Sequence, residues 1–163
     1  MNNNDNKYWC AVLLLSLAAA LAIIKLIKTM NKMNAKNPVT GPVTSKFGPR
    51  KAPVAGASTY HNGVDVGVPV GTQVVAPWDG TVLSTYSNAA GGNQMIVRHP
   101  NGYRTGYAHL SGYVATKGQT VRQGEAICLS GNTGHSTGPH LHFTLTNPAG
   151  QKIDPESVFD FKA

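Results

Sequence analysis

The chain is poor in cysteine, with two in 163 residues, and poor in acid, with 7 Asp and Glu against 14 Lys and Arg. Cys10 sits in an apolar N-terminal run and Cys128 in a stretch that reads as a core strand. The two are not expected to meet, which excludes a disulfide and a cysteine-based metal site. Cys128 reads as a small buried apolar residue. The formal charge of +7 is unevenly spread. Residues 1–37 hold five lysines against Asp5, a balance of +4; the remainder holds nine basic and six acidic residues, a balance of +3. The larger part therefore lacks the basic stripe of a nucleic-acid binder, and no nucleic-acid partner is expected. A mild positive balance still suits an anionic polymer. Helical periodicity is missing after residue 37, as are internal repeats and low-complexity tracts, which leaves strands as the material of the fold.

What is present begins with an uncharged run, Tyr8 to Ile24 (YWCAVLLLSLAAALAII). As a helix it would rise roughly 25 Å at 1.5 Å per residue. Leu26 and Ile27 extend its apolar face, Lys25 and Lys28 could snorkel, and Tyr8 and Trp9 suit an interfacial belt. The run is expected to be a retained single-pass membrane anchor within residues 1–30, spanning Tyr8 to about Ile27 and contacting lipid. A cleaved secretory signal is the alternative, because Ala18-Ala19-Ala20 and Ala20-Leu21-Ala22 resemble cleavage sites. The lysines on the C-terminal side would keep the following domain on the cytoplasmic face.

Residues 31–42 (NKMNAKNPVTGP) are polar and carry Pro38, Gly41 and Pro42, so they read as a linker. From Val43 the composition shifts to glycine and β-branched residues. Short strands are expected at Thr72–Ala76, Gly80–Tyr86, Gln94–His99, Tyr103–His109, Gln119–Val121, Ala126–Ser130 and His140–Thr146. Pro100-Asn101-Gly102 reads as a hairpin turn. The fold class is all-β: a compact antiparallel sheet or sandwich over residues 43–163, large enough for one core.

Two stretches carry chemistry. In Gly138-Pro139-His140-Leu141-His142-Phe143, strand alternation puts His140 and His142 on one face and Leu141 and Phe143 on the other. Paired imidazoles suit metal binding or proton transfer. In His61-Asn62-Gly63-Val64-Asp65, an extended chain would hold His61 and Asp65 roughly 13 Å apart. A turn at Asn62-Gly63 would bring them together. With one histidine of the other pair they make a three-ligand set with an open fourth position, the pattern of a catalytic zinc site. Spacing leaves open which of His140 and His142 completes it.

The chain resembles the lysostaphin-type zinc endopeptidases, which cut peptide cross-bridges of bacterial peptidoglycan. The resemblance is carried by Phe47-Gly48-Pro49-Arg50, by HNGVDVGVPVGTQVVAPWDGTV at 61–82 and by YAHLS at 107–111. Val121-Arg122-Gln123-Gly124 and GNTGHSTGPHLHF at 131–143 complete it, in family order. It implies a β-sheet domain with a narrow groove, one Zn²⁺ held by His61, Asp65 and His142, and His109 and His140 as the non-ligand catalytic pair. It also implies peptidoglycan as substrate. One departure is Thr144, where many relatives carry Glu. Tyr60 and Tyr107 are the candidates for a transition-state tyrosine.

No His-Glu-x-x-His helix supplies a general base, so His109 and His140 are expected to move the protons. His99 reads as structural, His135 as an exposed loop residue and Arg50 as a donor at the groove edge. A non-catalytic wall-binding or hydrolase-activating domain on the same fold is the alternative, opposed by a full set of ligands and histidines. The anchored domain is expected to face the wall or, as a lysin carried on a phage particle, to sit in the membrane of that particle, where the cytoplasmic-side lysine bias would be less unusual.

Overall fold

The structure is a computed structural model describing residues 17–26, 35–52 and 58–162. The chain divides into two units, Met1–Asn34 and Ala35–Ala163, each taken by itself. In the first, residues 17–26 are helical and expose Leu17, Leu21, Ile23, Ile24 and Leu26. The expected membrane anchor is corrected here: among the described residues, no helix is long and apolar enough to cross a membrane. Ten helical residues rise about 15 Å, half of a ~30 Å hydrocarbon core, and Lys25 lies inside the helix. The remainder of the expected span, and Cys10, fall outside the described residues.

The second unit is built from short strands: β1 (Val43–Ser45), β2 (Gly48–Pro49), β3 (Tyr60–His61), β4 (Val64–Val66), β5 (Gln73–Val75), β6 (Gly80–Asn88), β7 (Gly92–Arg98), β8 (Arg104–Leu110), β9 (Gly112–Tyr113), β10 (Thr120–Val121), β11 (Ala126–Leu129), β12 (Leu141–Thr146) and β13 (Lys152–Ile153). The main sheet runs β1-β4-β12-β8-β7-β6-β10, with β13 also paired to β12. A second sheet is β5-β11-β9, and β2 pairs β3. The pairings are antiparallel, as the alternating, turn-rich sequence requires. The hairpin between β7 and β8 closes at Pro100-Asn101-Gly102, where the Gly102 amide donates to the His99 carbonyl at 3.0 Å. Residues 35–42 lie along this unit: Val39 is buried in its core, and the Val75 amide donates to the Pro38 carbonyl.

Strand β12 sits in the middle of the main sheet, and its alternation organises the unit. Leu141, Phe143 and Leu145 are fully buried. Phe143 packs on Tyr107, Phe159 and Phe161 with ring centroids 5.3–5.8 Å apart. Each such side chain contributes roughly 1.5–3 kcal/mol by leaving water. His142, Thr144 and Thr146 take the opposite face. There a groove of about 400 Å³ runs from His142 past Thr144 and Gly106 to Arg104 and Lys152.

Candidate metal centre

His61 ends β3, Asp65 lies in β4, and His142 lies in β12, directly opposite Asp65 in the sheet register. The turn at Asn62-Gly63 folds the chain back, so His61 Nε2 lies 3.1 Å from Asp65 Oδ1. His142 Nδ1 is 2.8 Å from the same oxygen and 3.0 Å from His61 Nε2. Among the described residues these three form a group whose ligand atoms could hold one metal ion.

The neighbours of these side chains set their tautomers. His61 Nδ1 donates to the Lys46 carbonyl at 2.8 Å, so in the neutral ring Nε2 carries a lone pair. His142 Nε2 donates to Asn62 Oδ1 at 3.2 Å, so Nδ1 carries the lone pair. Arg50 Nη1 donates to Asp65 Oδ2 at 3.3 Å, which leaves Oδ1 turned to the imidazoles. Arg50 is tied in turn to Ser45 Oγ at 2.6 Å. In these neutral tautomers three lone pairs face one another at contact distance, an arrangement that repels itself unless a proton or a metal cation lies between. Tetrahedral zinc with ligand bonds near 2.0–2.1 Å needs ligand atoms about 3.3 Å apart, close to the separations found. The donor set therefore fits a divalent cation of zinc type, with second-sphere partners of the kind that orient metal-bound histidines.

Electrostatics agree with the geometry. Burial would raise the Asp65 carboxyl, but hydrogen bonds and charge from His142 and His61 outweigh it and hold the group well below the usual carboxylate range. Burial pushes His142 below an ordinary histidine against the pull of Asp65. Both shifts favour the deprotonated forms that bind metal.

Two more histidines border the site. His109 is buried at the C-terminal end of β8, with Nδ1 donating to the Thr133 carbonyl at 2.7 Å. Its φ of +60° is the one left-handed value outside glycine among the described residues, a conformation that large side chains rarely adopt. Burial lowers its pKa, against the opposing hydrogen bond to Thr133. His140 Nδ1 donates to the Gly138 carbonyl at 2.7 Å, and its Nε2 lies 3.7 Å from Asp65 Oδ1. The rings of His109 and His140 are 4.6 Å apart, and those of His109 and His142 are 6.0 Å apart. In both rings Nδ1 donates to a backbone carbonyl, which makes Nε2 the lone-pair nitrogen of the neutral ring.

All five residues singled out in the sequence thus come together. The tyrosine candidates separate. Tyr107 is buried, and its hydroxyl bonds to Thr105 Oγ1 at 2.9 Å in the core, away from the site. Tyr60 is 52% exposed and packs edge-on against Phe47. His99 is a buried structural residue, its Nδ1 donating to the Asp79 carbonyl. His135 is exposed. Sequence reasoning missed the orienting partners Ser45 and Asn62. Asn62 was legible only as a turn residue, although its place between two ligands could have marked it.

Comparison with known proteins places the same residues in context. Residues 59–155 match Peptidase family M23. The chain is 45% identical over 104 residues to the peptidoglycan DD-endopeptidase ShyA of Vibrio cholerae, covering 63% of this chain and 24% of that protein. Among solved structures, a zinc-containing peptidase from Vibrio cholerae superposes with a TM-score of 0.67 at 36% identity, over 77% of this chain and 40% of that one. The catalytic domain of lysostaphin from Staphylococcus simulans superposes with a TM-score of 0.62 at 32% identity, over 77% of this chain and 92% of that one. The chain spans about a quarter to a third of the length of the curated relatives it matches.

Proposed function

The chain belongs to peptidase family M23, and from that membership we propose that it is a zinc-dependent endopeptidase hydrolysing peptide cross-links of bacterial peptidoglycan. Its catalytic body is residues 43–163. His61, Asp65 and His142 are the metal ligands; His109 and His140 are the catalytic histidines. The observation that carries the reading is the meeting of three lone-pair atoms, 2.8–3.1 Å apart, beside two further imidazoles. The DD-endopeptidase relative supports the substrate, and the similarity to a zinc-containing peptidase supports the metal.

Zinc, when bound, supplies Lewis-acid polarisation of the scissile carbonyl and makes water acidic enough to ionise near neutral pH. The chain's own groups do the rest. Asp65 Oδ1, turned inward by Arg50, His61 Nε2 and His142 Nδ1 would hold the cation, and His142 also lines the groove. Substrate lies along the groove face of β12 and β8. One of His109 and His140 takes the proton of the attacking water on Nε2. The other donates from Nε2 to the departing amine or to the developing oxyanion. Because burial lowers the pKa of His109, its Nε2 stays unprotonated at neutral pH.

The test is to incubate the purified full chain with defined cross-linked peptidoglycan, with and without a chelator, and to identify the fragments. New amino termini that disappear with the chelator support the reading. New sugar reducing ends, or cleavage indifferent to the chelator, overturn it.

A further inference from the structure

The groove leading away from the metal ligands is lined by Arg104 and Lys152, and its lining contains no acidic residue. The sheet register explains how the cations gather. Arg98 of β7 is paired with Arg104 of β8, Arg104 with Thr146 of β12, and Thr146 with Lys152 of β13. Residues directly opposite in a sheet project from the same face, so Arg98, Arg104 and Lys152 form one row on the face that carries His142. Like charges directly opposite one another destabilise a sheet. Among the described residues, none of the three has a carboxylate within ion-pair distance.

Lys152 is exposed overall, yet its ammonium does not swing clear of the sheet to relieve the repulsion. Its ammonium turns along the groove and donates to Thr144 Oγ1 at 2.8 Å. Burial, with the Arg104 charge beside it, pushes its pKa down. Thr144 lies opposite Gly106, one pleat along from His142 and Ala108. Gly106 has no side chain, so the floor is low at this point. The ammonium therefore hangs over open groove about 7 Å along the strand from His142.

We propose that the Arg104–Lys152 end of the groove is a carboxylate-binding subsite that selects wall peptides bearing a free acid about two residues from the cut bond. The inference rests on the endopeptidase reading for the substrate's register and, for the subsite itself, on Arg104 and Lys152 flanking Thr146 in the sheet register. An extended peptide advances about 3.3 Å per residue, so two residues carry a substrate from the metal to Lys152 Nζ. A carboxylate there would accept from Lys152 and from the Arg104 guanidinium, replacing a neutral hydroxyl by charge-assisted bonds.

The experiment compares a cross-linked muropeptide dimer with free carboxylates and its twin with the carboxylates converted to carboxamides. For the zinc-loaded full chain, kcat and KM are measured for both, and the isolated product peptides of each twin are titrated calorimetrically. The subsite predicts kcat/KM at least tenfold higher for the acid, carried by KM, and a matching preference in product binding. The double variant Arg104→Gln/Lys152→Gln should bring both ratios within twofold, whereas Lys152→Arg should retain them. Both residues are exposed, so an undiminished melting temperature checks that the variants fold. Equal treatment of the twins by the native chain, or a preference that survives the double variant, overturns the subsite. A binding preference without cleavage of either twin would sustain the subsite and sink the endopeptidase reading. Cleavage without preference would do the reverse.

Discussion

Asp65 divides its two oxygens between two tasks. Oδ2 is held by Arg50 and Oδ1 faces His61 and His142. On the proposed roles, His142→Ala removes a ligand and the purified protein should lose its zinc on elemental analysis. His109→Ala should keep zinc at one per chain and lose about 10²–10⁴ in turnover, the usual worth of a general acid or base. Arg50→Gln tests the orienting contact: zinc affinity measured by chelator competition should fall about 10–100-fold with the fold intact. The proposed ligands could be nominated because imidazole and carboxylate side chains stand out by type, but spacing left His140 and His142 open and the family resemblance supplied the choice. Their orienting partners mostly were not legible. Lys46, Thr133 and Gly138 act through backbone carbonyls, which every residue carries. Arg50 was legible as a donor, but its pairing with Asp65 depends on a fold that brings β1, β2 and β4 together.

At the scale of the element, β12 and the glycines against it decide whether the site closes. A Cβ on Gly131 would meet the Ser111 amide nitrogen at 2.4 Å and the His109 carbonyl at 2.5 Å. Both are backbone atoms that cannot swing aside. Gly131→Ala should therefore cost about 1–3 kcal/mol in denaturant unfolding and displace His109, so that turnover falls further than stability. The long strands β6, β7, β8 and β12 were readable from alternation and β-branched content. Of the five two-residue strands, β10 was expected within Gln119–Val121, whereas β2, β3, β9 and β13 were not, since two residues alone contain no period. That shortfall hid the cationic row, which exists only because β13 brings Lys152 beside Thr146. The expected membrane anchor went wrong for a related reason. Composition reports that a run is apolar, whereas crossing a bilayer requires a helix both long and apolar enough, and among the described residues there is none.

Across the whole molecule, pH acts through a buried chain as well as through the site. His99 Nδ1 donates to the Asp79 carbonyl, its Nε2 accepts from Thr105 Oγ1, and Thr105 meets the Tyr107 hydroxyl. The neutral ring satisfies every partner, and burial lowers the His99 pKa. The unfolded chain then binds this proton more readily than the folded one. Stability from His99 is complete above about pH 6.5 and is lost as pH falls through that value towards the lower folded one. Thermal midpoints should drop between pH 7 and pH 5. In His99→Gln, less stable at neutral pH by about 1–3 kcal/mol, that slope should be shallower.

The central claim concerns one cation, and calorimetric titration of zinc into the chelator-stripped full chain tests it most directly. One tight site per chain is expected, with proton release if either imidazole was protonated, and no such site in His61→Ala, Asp65→Ala or His142→Ala. Absence of zinc binding by the native chain, or binding that persists in all three variants, would contradict it.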